Sequence, residues 1–199
     1  EIMRATLGNA GDGPTYASGM PTIIIAVDRH DDYVSVGAPA SSAGFFFSDL
    51  RENAILIEDS EETSGIQVIL HEYAHYLSKQ SGRIRYPRWY EEGNAEYLSH
   101  SRLGDNTYEY ALAPEQHVAS LNFSGWLPLA TILEIDDTTG FDEIDGGLFY
   151  AQSWLLVHYL RSLPDADQNL PLQLAAYARY ASDGMASAEA FEKAFGLDV

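Results

Sequence analysis

The segment His71-Glu72-Tyr73-Ala74-His75, followed after 16 intervening residues by Glu92, constrains this chain more than any other feature. Histidines four apart on a helix lie on one face, so both imidazoles can reach one point in space. Glu72 falls about 100° round the helix from His71, off that point yet beside it. Two imidazoles and a carboxylate are zinc ligands, and a zinc with three protein ligands keeps a fourth position open for water. Water polarised there has its pKa lowered to roughly 7. Glu72 can take its proton and pass it to a leaving amine. These residues point to zinc-dependent amide hydrolysis, with His71, His75 and Glu92 as metal ligands and Glu72 as general base.

The surroundings favour this over two surface histidines on an ordinary helix. Ser64 and Gln67 read as a capping box, Ile66, Ile69, Leu70, Tyr73 and Leu77 form a helical apolar stripe, and Ser81-Gly82 ends the helix. Histidines on so buried a helix would be costly without partners. The second segment reads as a helix from Arg88 to about His100 behind Pro87, with Trp89, Glu92, Glu96 and His100 on one stripe. Glu96, one turn beyond Glu92, is placed to hydrogen-bond the far nitrogen of a ligand histidine. Gly93 costs about 1 kcal/mol inside a helix and makes sense if this helix and the His71 helix approach closely. A solvated acidic face is the plainer reading of Glu91, Glu92 and Glu96, but their neighbours are aromatic and small rather than charged.

The two segments together resemble the gluzincin metallopeptidases, whose pattern is H-E-x-x-H, a gap, then W-x-x-E-G-x-A. More narrowly they are similar to the small bacterial peptidase-MA-like domains, with aminopeptidase N and leukotriene A4 hydrolase as larger relatives. The resemblance implies a zincin-like fold, the same three zinc ligands and the same base. It adds Tyr150: Phe149-Tyr150-Ala151-Gln152-Ser153-Trp154 is similar to the aminopeptidase segment whose tyrosine stabilises the tetrahedral intermediate. Two features depart from the family. The gap before Glu92 is shorter than in the aminopeptidases. Arg51-Glu52-Asn53 also lacks the Gly and Met of the G-x-M-E-N segment that holds a substrate's free amine, so exopeptidase specificity is not implied.

The 199 residues suit one domain, and strands giving way to helices make an α+β layout. Residues 1–20 read as an irregular, Gly-rich arm, and 21–199 as the catalytic domain. Strands are expected at Thr22 to Val27, Tyr33 to Val36, within Ser41 to Phe47, and at Ala54 to Ile57. Between Asp105 and Asp145 only a short helix near Leu129 to Ile135 is expected. Helices follow at Leu148 to Leu163, Leu172 to Ser182 and Ala188 to Phe195. Ala54, Ile55 and Leu56 are candidates for pairing with an extended substrate, since an edge strand over the metal can bind one through its main chain; a buried core strand is the alternative. His30, His100, His117 and His158 read as structural or exposed, with His100 and His158 as secondary candidates for assisting an oxyanion.

A net charge of −19 would repel nucleic acid. No apolar run is long enough to span a membrane, and Asp142 to Gly147 lacks calcium-loop spacing. The absence of cysteine excludes thiolate ligands and suits an extracytoplasmic bacterial protein, periplasmic or secreted. The expected partner is a peptide or protein substrate and the expected cofactor Zn²⁺. The alternatives are hydrolysis of a non-peptide amide or ester, or a non-catalytic zinc-containing binding module.

Overall fold

Runs rich in Ile, Val and Phe favour extended backbone, and three of them form one sheet: β1 (Thr22–Val27), β2 (Gly44–Ser48) and β3 (Asn53–Glu58). The computed structural model describes residues 22–40, 42–48, 53–58, 65–80, 86–103, 107–136 and 145–199. The expected arm over residues 1–20, Arg51-Glu52, the cap Ser64 and the stop signal Ser81-Gly82 lie outside the described residues. β3 is the central strand. β1 runs parallel to it, with Thr22 opposite Asn53, and β2 antiparallel, with Gly44 opposite Ile57.

The expected strand at Tyr33 to Val36 is instead mostly helix: α1 spans His30–Ser35. Asp31 and Asp32 in its first turn complement the helix dipole. Tyr33 is fully buried and its hydroxyl lies 2.9 Å from Ser42 Oγ, while Val34 and Val36 are exposed. Alternating Tyr-Val-Ser-Val mimics a strand, and one helical turn is too short for period to distinguish the two.

The rest is largely helical: α2 (Gly65–Gln80), α3 (Arg88–Ser99), a two-residue ladder of β4 (Arg102–Leu103) and β5 (Tyr108–Glu109), then α4 (Glu115–Phe123), α5 (Leu129–Glu134), α6 (Gly146–Ser162), α7 (Ala166–Ser182) and α8 (Ser187–Phe195). A small sheet followed by helices is an α+β arrangement. No helix among the described residues is long and apolar enough to cross a membrane. Two helices differ from expectation. α7 begins six residues before Leu172 and carries Pro171 inside it, where proline reads as a start signal. α4 was not expected, and none of its residues is buried. A helix without a buried stripe leaves no periodic trace.

α3 lies between α2 and α6 and carries the densest part of the core. Trp89 is fully buried, edge-on to Tyr177, Phe191 and Phe195 at ring separations of 6.2, 5.8 and 6.3 Å. Phe46, Ile55, Ile57 and Tyr76 form a smaller core where α2 covers the sheet. Gly93 does mark a close approach, but to α6 rather than α2: a Cβ there would stand 2.3 Å from the Ser153 carbonyl oxygen and 2.9 Å from Val157 Cγ2. Arg161 on α6 reinforces the same contact by donating to Asn94 Oδ1 at 2.7 Å.

Backbone cannot move aside as a flexible side chain can, so Gly93→Ala must push α3 and α6 apart. Overpacking of this kind costs roughly 1–3 kcal/mol. A urea denaturation series should show the midpoint falling accordingly, and an unchanged midpoint would contradict the packing described for Gly93.

Candidate metal centre

α2 carries His71 and His75 one turn apart, and their Nε2 atoms lie 3.1 Å from each other. α3 presents Glu92 from the facing side, with Oε2 at 3.4 Å from each of those nitrogens. Zinc bonds to nitrogen and oxygen are about 2.0–2.1 Å, so neighbouring donors of a tetrahedral site stand about 3.3–3.4 Å apart. The donor triangle is therefore of zinc size, and its imidazoles do not suit calcium or magnesium, which prefer oxygen ligands. Among the described residues these three make up the group able to hold a metal ion.

Glu96 sits one turn beyond Glu92 and engages both sides of the site. Its Oε1 accepts from His71 Nδ1–H at 3.0 Å, and its Oε2 accepts from His117 Nε2–H at 2.8 Å. His100, at the end of α3, donates from Nδ1 to the Glu96 carbonyl at 3.0 Å. The charges follow from this geometry. Burial disfavours the His71 imidazolium, yet Glu92 and Glu96 outweigh it and push its pKa up to about 10. Burial would likewise raise both carboxyls, but hydrogen bonds from His71 and His75 hold Glu92 well below the usual range. Those from His117 and His71 do the same for Glu96. Cationic charge is thus strongly favoured between these carboxylates. A metal taking that place must displace the His71 proton.

An open cleft of about 700 Å³ borders this centre, lined among others by Gly44, Val68, His71, Glu72, His117 and Tyr150. Glu72 lies off the donor triangle and against β2. A Cβ on Gly44 would stand 3.1 Å from Glu72 Oε1 and 2.3 Å from Val68 Cγ1, so glycine lets the strand run close to α2. Tyr150 enters from α6, which begins at Gly146 rather than Leu148; the Asp145 N-cap accepts from Leu148 N–H at 3.0 Å. The Tyr150 ring centre is 6.4 Å from that of His71. Burial first, then the Glu92 carboxylate, raise its pKa well above that of an ordinary phenol, against a smaller lowering by Arg88. Tyr150 is held as a neutral hydroxyl, the form that can donate.

Three readings of the sequence change. Ala54, Ile55 and Leu56 belong to the central strand, whose two backbone edges are taken by β1 and β2, so no substrate strand can pair there. Among the described residues, the edge strand beside Glu72 is β2. His158 is exposed on α6, outside the cleft lining, with its ring 5.7 Å from Tyr97 and 5.4 Å from Trp154. It is not placed to assist at the centre. His117 is the functional-site residue that sequence reasoning missed. It comes from α4, and no spacing within the chain links it to Glu96. His30 stays apart, paired with Glu58 at 2.8 Å.

Comparison with protein-family models, curated proteins and solved structures finds no match to this chain.

A metal that binds only the folded centre stabilises the fold by RT ln(1 + [metal]/Kd), about 2.7 kcal/mol at a free concentration of 100 times Kd. Chemical denaturation with buffered zinc should show this shift in the parent chain. It should be lost in His75→Ala, which removes one corner of the triangle. Equal shifts in both would place the metal elsewhere.

Proposed function

We propose that this chain is a zinc metallopeptidase of the gluzincin type on a zincin-like fold, hydrolysing peptide bonds. The observation that carries the reading is the triangle of His71, His75 and Glu92 at zinc spacing, with Glu72 beside it at an open cleft. Bound zinc supplies Lewis acidity and lowers the pKa of water. The remaining work falls to the chain's own side chains. Glu72 accepts the proton of the attacking water and returns it to the departing amine. Tyr150, protonated and at the cleft wall, donates to the oxyanion that develops on the scissile carbonyl. Glu96 holds the Nδ1–H of His71, which leaves Nε2 as the ligating atom and fixes the ring's orientation.

The substrate chain is expected to lie along β2, the edge strand among those described, and to pair with its main chain. A purely structural zinc would use four protein ligands and need neither Glu72 nor Tyr150. The cleft volume is also within the usual range for small ligands, which keeps a small amide or ester as the second reading.

Digestion of a peptide library by the zinc-loaded protein, read by mass spectrometry, tests the proposal. Glu72→Gln should keep zinc and lose roughly 10²–10⁴-fold in rate. Tyr150→Phe should fold normally and lose about 10²–10³-fold in kcat. Parent-level cleavage by Glu72→Gln would remove Glu72 as base. Full activity of Tyr150→Phe would pass the oxyanion role to His100, which lines the cleft. No cleavage of any peptide, beside turnover of small esters, would favour the second reading.

A further inference from the structure

Glu96 is shared between side chains of two other helices. One oxygen holds His71 of α2 at 3.0 Å, and the other holds His117 of α4 at 2.8 Å. A carboxylate fixed through one oxygen can still swing about its terminal torsion, which is broad and soft. A second charge-assisted bond on the other oxygen fixes its plane. The Glu96 and His117 side chains are only 14% and 13% exposed, so this pair is far less screened than a surface one.

α4 itself supplies the second observation. None of its residues is buried, and its apolar contact with the main core comes from partly buried Leu121 and from its packing on α6. Glu115, Gln116 and Ser120 of this helix line the cleft beside the metal centre. His117 lines the same cleft, with its ring 6.1 Å from that of Trp154 and 5.8 Å from that of His100. The residue that reaches Glu96 is thus itself part of a wall of the cleft.

We propose that His117 is a positioning residue: it fixes the Glu96 carboxylate that orients His71, and by the same bond it latches α4 against the cleft. This rests on the zinc reading of His71, His75 and Glu92. His117 is not itself a ligand, because its Nε2 is committed to the Glu96 oxygen that does not hold His71. It acts on the metal through Glu96, and so its effect must disappear when Glu96 is absent.

Zinc affinity, measured by chelator competition on the full chain, tests this with His117→Ala, His117→Gln, Glu96→Ala and the Glu96→Ala/His117→Ala double variant. Loss of such a supporting partner weakens metal binding by roughly 10–100-fold, and His117→Ala should fall in that range. His117→Gln, whose amide can donate to the same oxygen, should recover most of the affinity. The double variant should bind no more weakly than Glu96→Ala alone. Parent-like affinity in His117→Ala, equal weakening in the Ala and Gln variants, or full additivity in the double variant would each overturn the proposal. Hydrogen exchange of the metal-free protein gives a separate readout. Amides of α4 should exchange about tenfold faster in His117→Ala than in the parent, and equal exchange would overturn the latch. If the parent chain takes up no zinc, the metal reading fails at that step, and exchange in α4 still decides whether His117 pins the helix.

Discussion

Two carboxylates of α3, Glu92 and Glu96, face the imidazoles of α2 with side chains only 16% and 14% exposed, and the rest of the structure depends on that contact. A carboxylate so placed without partners would cost several kcal/mol. Here each oxygen named above has an imidazole within 3.5 Å, and the charge becomes an asset: a cavity edge that favours a cation. The arrangement works only if α3 cannot slide or rotate. Trp89, locked among Tyr177, Phe191 and Phe195, anchors its start, and Gly93 lets it seat against the α6 backbone. A shift of one residue along α3 would turn Glu92 about 100° away from the histidines.

The same logic orders the cleft. Glycine at position 44 admits β2 against α2, which sets Glu72 between strand and metal centre. Asp145 caps α6 and so fixes the turn from which Tyr150 projects. Three elements with little sequence in common, an edge strand, a helix N-terminal turn and a nearly unburied helix, thus converge on one metal-sized triangle.

The two halves of the donor triangle were legible in the sequence because each is local to one helix. His71 and His75 share a helix face by spacing alone, and Glu92 and Glu96 share another. Gly93 flagged a close approach of α3, although the helix it admits is α6, which spacing could not reveal. Trp89, read on one stripe with Glu92 and Glu96, is seated among Tyr177, Phe191 and Phe195. What was not legible depends on contacts between distant segments or on absent periodicity. Strand order is one such case: Ala54 to Ile57 is apolar throughout, which fits an edge and a centre equally well, and only pairing with β1 and β2 decides. α4 is another, since it buries no stripe, and His117 went unrecognised with it. Tyr33 to Val36 failed for a third reason, because a single helical turn and a short strand present the same few residues to a pattern search.

The central claim is that His71, His75 and Glu92 jointly hold one zinc ion. Anomalous diffraction at the zinc edge, from crystals of the chain with one equivalent of zinc, tests it most directly. The account expects a single peak about 2.0–2.1 Å from His71 Nε2, His75 Nε2 and one Glu92 oxygen, with Glu96 bonded to His71 Nδ1 and not to the metal. A peak seated between Glu96 and His117 with Glu92 turned away, or no peak near the two histidines, would contradict it.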